Sequence, residues 1–170
     1  AWCQLGVVPE ADMREIRAKA AIDVPRIAAI EAETRHDVIA FLTSLEEKIG
    51  PSSRFIHLGC TSSDIVDTAN ALLLVEAGKR ILADLDTALE SIKTLSLKHK
   101  GLMCIGRTHG IHAEPTTFAL KMAGFHAEFV RHKARVADAV ENIRVGKISG
   151  AVGTYAFLSP EVEEKAGPLL

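Results

Sequence analysis

Arg107-Thr108-His109-Gly110-Ile111-His112-Ala113-Glu114-Pro115-Thr116-Thr117 is the stretch on which the reading of this chain turns. It is short, polar and non-periodic, and long apolar-periodic runs flank it on both sides. Those runs therefore read as two separate long helices joined through a polar island. Gly110 lets the backbone turn sharply or take a positive φ beside His109, and Pro115 marks the start of the second helix. Chemistry tends to sit in loops held by rigid helices, so this island is the first candidate for a reactive site.

The helix before it carries Ile65, Ala69, Leu72, Leu73, Val75, Ile81, Leu82, Leu85, Leu89, Ile92 and Leu95 as one stripe, ending at Lys98-His99-Lys100-Gly101. Thr61-Ser62-Ser63-Asp64 opens it, with Thr61 and Asp64 spaced as a capping box. A hydroxyl-rich helix start also suits a carboxylate or phosphate, because its free N–H groups favour negative charge. Roughly thirty-odd residues exceed the usual globular helix and imply a bundle or oligomer core. Gly78 in the middle points to close helix packing, since it weakens a helix by roughly 1 kcal/mol relative to alanine. The helix after the island is expected from about Thr116 to Arg144, with Phe118, Leu120, Met122, Phe125, Phe129, Val136, Val140 and Ile143 on its apolar face.

Shorter helices precede this pair. Ala1–Leu5 reads as a helix tail stopped by Gly6, and Pro9 starts the next helix. Asp23 and Pro25 make a second start, and the apolar spacing then runs from Ile27 to Ile49. Thr34-Arg35-His36-Asp37 interrupts that run, and reads by itself as a solvated turn of continuous helix. Arg54–Cys60 is irregular, either a strand or an ordered loop. The segment Gly146–Tyr155 holds three glycines but fits neither G-x-G-x-x-G nor a Walker loop. Ser159-Pro160 caps a last short helix that Gly167-Pro168 ends. The architecture expected is all-α: a short-helix region over 1–60, then the first part of a long-helix bundle over 61–170.

The totals narrow the chemistry. The chain has 170 residues, 48% apolar and 25% charged, with net charge −2. No basic block is present, which argues against a nucleic-acid partner. No window is apolar enough to span a bilayer, and no signal peptide opens the chain. Cys3, Cys60 and Cys104 lack a C-x-x-C pattern and read as reduced thiols of a cytoplasmic protein. His109 and His112 stand three apart, yet no second pair completes a metal site. A nucleophilic serine would want G-x-S-x-G, which is absent. No cofactor is called for.

Acid–base work suits the three polar islands better: Arg35-His36-Asp37, His57 to Asp64, and Arg107 to His112. Histidine both gives and takes protons near neutrality, and an anion-binding helix start would hold a carboxylate substrate. A β-elimination needs that combination. A base removes a proton beside a carboxylate, fixed donors stabilise the dianion, and an acid protonates the leaving group.

Four motifs, in order, carry a family resemblance: Thr34-Arg35-His36-Asp37-Val38; His57-x-Gly59-x-Thr61-Ser62-Ser63-Asp64-x-x-Asp67-Thr68-Ala69; Arg107-Thr108-His109-Gly110-x-His112-Ala113-Glu114-Pro115-Thr116-Thr117-Phe118; and Lys147 to Tyr155. Together they resemble the adenylosuccinate lyases of the fumarase/aspartase superfamily. The resemblance implies long helices shared in a homotetramer. It also implies cleavage of adenylosuccinate to AMP and fumarate, and of SAICAR to AICAR and fumarate, in purine synthesis. By motif, His109 resembles the general acid and His36 the histidine that supports it. Arg35, Asp37 and Thr108 would contact substrate, and His57 would sit near its phosphate or nucleotide portion. Thr61 and Ser62 would bind the succinyl part. Lys147 and Ser149 lie in a motif to which no role is assigned.

The family's mobile Gly-Ser-Ser-x-Met-Pro-x-Lys-x-Asn loop, which bears the serine base, is missing, as is the N-terminal segment that contributes phosphate contacts. Relatives are more than twice this length and build each active site from three subunits. The expectation is therefore a fragment with acid and anion-binding parts but no base. The alternatives are another superfamily lyase, such as argininosuccinate lyase or an aspartase-like enzyme, and a non-catalytic helical scaffold. The Thr-Arg-His-Asp cluster and the His-Ala-Glu-Pro-Thr-Thr run favour the first reading. Three histidines in polar islands argue against a scaffold.

Overall fold

The computed structural model describes residues 1–169 and is predominantly helical. Its helices are α1 (Glu10–Lys19), α2 (Val24–Thr34), α3 (Asp37–Ile49), α4 (Ser62–Lys98), α5 (Phe118–Ile143) and α6 (Pro160–Ala166). A 3₁₀ turn covers Pro51–Phe55, and a two-stranded antiparallel sheet pairs β1 (Met103–Thr108) with β2 (Ile111–Thr117). No described helix is long and apolar enough to cross a membrane. The chain forms two compact units, Ala1–Ala69 with the segment from Gly146 onward, and Asn70–Val145.

In the first unit the start signals act as the sequence suggests. Asp23 caps α2 by accepting from the Arg26 N–H at 3.1 Å, and Pro25 sits in the first turn. Ser159 caps α6 in the same way through the Glu161 N–H. Ala1–Leu5 closes a single turn, with the Leu5 N–H on the Ala1 carbonyl, and Gly6 follows at φ +74°. The core gathers Val8, Ile30, Val38, Ala40, Leu45, Ile49, Leu158 and Val162. This unit contains the residues expected to stand apart over 1–60, and adds the opening turns of α4 and the segment after α5.

The run from Ile27 to Ile49 is not one helix. Arg35 adopts the left-handed conformation at φ 54° and ends α2, and His36 is the N-cap of α3. The polar cluster is therefore a corner between two helices, where a solvated turn of continuous helix was expected. Of the two readings of Arg54–Cys60, the ordered loop holds: Arg54 and Phe55 close the 3₁₀ turn, and the segment continues as hydrogen-bonded turns.

The second unit is the remainder of α4, the hairpin and α5. The island from Arg107 to Thr117 is the end of β1, the turn and the whole of β2 rather than a loop. Pro115 lies within β2 opposite Ile105, and α5 begins only at Phe118, where the Thr117 hydroxyl accepts from the Leu120 N–H. A proline is tolerated there because every strand of a two-stranded sheet is an edge. The expected close packing at Gly78 is present. A Cβ there would lie 2.2 Å from Val140 Cγ2 on α5, far inside van der Waals contact. Leu73, Leu74, Ile81, Leu95, Leu97, Leu120, Phe125 and Val130 remain exposed on these two helices.

Candidate active site

Chain reversal sets the first group. Because Arg35 turns the backbone left-handed, Arg35, His36 and Asp37 all stand exposed at the α2–α3 corner. His36 Nδ1 accepts from the Ile39 N–H at 3.4 Å and lies 3.3 Å from Asp37 Oδ1. Those two contacts need opposite states of Nδ1. A neutral ring with its proton on Nε2 caps α3, and a ring protonated on Nδ1 pairs with Asp37. Asp37 Oδ1 also accepts from the Val38 N–H at 2.7 Å, which keeps the carboxylate at the helix start.

His57 lies in the turns after the 3₁₀ segment. Its Nε2 is buried with no hydrogen-bond partner among the described residues, and the ring lines a cavity of about 410 Å³ with Leu42, Glu46, Arg54 and Leu58. Trp2 fastens this segment by donating its indole N–H to the Leu58 carbonyl at 3.0 Å. Gly59 has to be glycine: φ is +72°, and a Cβ would meet the Phe157 carbonyl oxygen at 2.3 Å. A larger cavity of about 660 Å³, lined by residues such as Trp2, Met13, Phe55 and Val162, contains none of the expected site residues.

The start of α4 is built around Asp64. Asp64 Oδ2 accepts from the Thr61 N–H at 2.8 Å, the carboxylate half of the capping box. The carboxylate also accepts from the Ser149 N–H at 3.0 Å and from the Gly150 N–H at 3.1 and 3.2 Å. Lys147 Nζ stands 2.7 Å from Asp64 Oδ1 and donates to Ser63 Oγ at 3.2 Å and to the Gly150 carbonyl at 3.0 Å. The Asp64 side chain is 0% exposed and that of Lys147 is 38% exposed. Burial alone would lift the Asp64 carboxyl, but the Lys147 ammonium and the N–H groups of Thr61 and Ser149 outweigh it, so the group lies below the usual aspartate value. Cys60 nearby is pushed up by burial first and by the Asp64 charge second, which keeps it a thiol.

The glycine-rich segment after α5 is thereby tied to α4. Thr68 Oγ1 bonds both ways with the Lys147 backbone, each contact at 3.1 Å. Glu163 on α6 accepts from the Ile148 N–H at 2.8 Å and from the Tyr155 hydroxyl. The Tyr155 bond comes first and the Ile148 bond second in lowering Glu163, and the same Tyr155 bond raises the phenol. Sequence reasoning left Lys147 and Ser149 without a role. Their partners Ser63 and Asp64 lie more than eighty residues away, so no local pattern could reveal them.

In the second unit, Thr108 pairs with Ile111 across a two-residue turn formed by His109 and Gly110. Both have positive φ, 50° and 76°, which is the type I′ geometry that matches strand twist. Positive φ at Gly110 was legible, but the left-handed backbone of His109 itself was not. His109 and Thr108 are exposed at the hairpin tip. Gly106 sits at an irregularity of register, where a Cβ would meet the Glu114 carbonyl oxygen at 2.8 Å. The structure thus places Arg35, His36, Asp37, His57, Thr61 and Ser62 in the first unit, with Thr108 and His109 in the second. Among the described residues, no three metal-ligating side chains cluster.

The protein is helical, with His36 at a helix corner, His57 and His109 in turns, and hydroxyls at the start of α4. The chain matches the lyase family over residues 1–167 and belongs to it. It is similar to the adenylosuccinate lyases of Synechocystis sp. (50% identical, 96% of this chain, 38% of that one) and Bacillus subtilis (48% identical, 96% and 38%). Among solved structures it resembles a fumarate lyase from Mesorhizobium sp. (TM-score 0.86, 28% identical, 94% of this chain and 38% of that one). It also resembles a 3-carboxy-cis,cis-muconate lactonizing enzyme from Pseudomonas putida (TM-score 0.84, 30% identical, 98% and 38%). The chain therefore spans 38% of the length of these curated relatives.

Proposed function

We propose that this chain is part of a longer enzyme that cleaves adenylosuccinate to AMP and fumarate, and SAICAR to AICAR and fumarate, by acid–base β-elimination in purine biosynthesis. The observation that carries this reading is the near-half identity to two adenylosuccinate lyases across almost the whole chain. The positions of the polar residues suit it. His109, exposed on a type I′ turn, gives its proton to the leaving nitrogen in this reading. His36 supports that step, and Arg35, Asp37 and Thr108 contact substrate. His57 lies toward the phosphate or nucleotide portion. Thr61 and Ser62, at the start of α4, seat the succinyl carboxylates on free helix N–H groups.

The base that removes the proton belongs to a part of the enzyme outside these residues. The exposed leucine and phenylalanine side chains on α4 and α5 support association between subunits. The assembly proposed is a cytoplasmic homotetramer in which three subunits complete each site. Residues 61–170 then open the long-helix domain of the whole enzyme, with 1–60 in the domain before it. Mixing the full-length enzyme with adenylosuccinate tests the reading. The substrate's ultraviolet absorbance should fall as fumarate and AMP appear, and an unchanged spectrum would reject it.

A further inference from the structure

Lys147 and Asp64 stand directly behind the start of α4, and neither has a role in the reaction as proposed above. Asp64 is a fully buried carboxylate in the first turn of the helix expected to receive a second carboxylate, that of the substrate. Two negative charges at one helix start oppose each other in a low-dielectric site. Lys147 meets that problem with its ammonium against Asp64 Oδ1, its other N–H groups on Ser63 Oγ and the Gly150 carbonyl, and its backbone clasped by Thr68.

We propose that Lys147 is a positioning residue for the substrate carboxylate, neutralising Asp64 beneath the α4 N-terminus and holding the glycine-rich segment against it. The inference rests on the reading that this helix start seats the succinyl group. Without Lys147 the seat would carry a buried anion held by backbone N–H groups alone, with no countercharge, and substrate binding would weaken. The succinyl carboxylate farther from the abstracted proton, the one this seat would hold, keeps the same charge in ground and transition states, so the loss falls on KM rather than kcat.

The test uses the full-length enzyme with adenylosuccinate, with folding followed by circular dichroism. Lys147→Met should raise KM about tenfold with kcat within about threefold, because a repulsive charge has replaced a neutral pair. Adding Asp64→Asn removes that charge, and the double variant should return KM to within about threefold of wild type. A tether with no electrostatic role would lower the active fraction, and hence kcat, and leave KM in place. An unchanged KM in Lys147→Met, or a double variant no better than the single, overturns the proposal. Should Lys147→Met not fold, the double variant decides: a near-wild-type KM supports the inference, and a rise of about tenfold rejects it. Wild-type enzyme that leaves adenylosuccinate intact would instead overturn the functional reading, and this inference with it.

Discussion

Lys147 Nζ lies 2.7 Å from Asp64 Oδ1, joining the segment after α5 to the first turn of α4 through a carboxylate with no solvent exposure. The surrounding donors require Asp64 to be ionised, and its pKa is held below the ordinary 3.8. A depressed carboxylate adds stability that is complete above its unfolded-state pKa and disappears as pH falls through the folded-state value. The full-length protein should therefore lose melting temperature below the ordinary aspartate range. Asp64→Asn should flatten that part of the acid limb. A variant whose acid limb matches wild type would show that Asp64 carries none of it.

Gly78→Ala places a methyl group 2.2 Å from Val140 Cγ2. Helix propensity alone would favour alanine by roughly 1 kcal/mol, whereas overpacking costs about 1–3 kcal/mol. The clash should win, lowering the urea midpoint, and adding Val140→Ala should recover part of the loss. A more stable Gly78→Ala protein would mean that the two helices separate at little cost.

Arg35 holds a left-handed backbone at φ 54°, a conformation that costs a side-chain-bearing residue about 1 kcal/mol and glycine almost nothing. Arg35→Gly should leave the fold as stable or more so, by up to about 1 kcal/mol, while raising KM for adenylosuccinate. In the proposed reading, the substrate contact of the Arg35 side chain offsets the strain at a position where glycine would fit better. Unchanged KM in this variant would take Arg35 out of the substrate site.

What the sequence made visible were features written in neighbouring residues. The Asp23 and Ser159 caps, the long stripe from Ile65 to Leu95 and the tight approach at Gly78 all depend on local spacing or a single glycine. The α2–α3 break was hidden because neither usual signal is present: arginine stands where glycine ends a helix, and histidine where serine or aspartate starts one. The hairpin was hidden because Met103–Thr108 and Ile111–Thr117 are short, include glycine and proline, and lack β-branched alternation. For the candidate site, histidine-bearing motifs were legible as motifs. The Asp64–Lys147 network was not, because its members meet only through the fold.

The most direct measurement is single-turnover kinetics of His109→Asn in the full-length enzyme with adenylosuccinate. Asparagine tolerates the positive φ of this turn, so the hairpin should survive while the proton donor is lost. The circular dichroism spectrum should be unchanged and the rate about a hundredfold or more below wild type. A folded variant that turns over within about threefold of wild type would contradict the assignment of His109 as the acid.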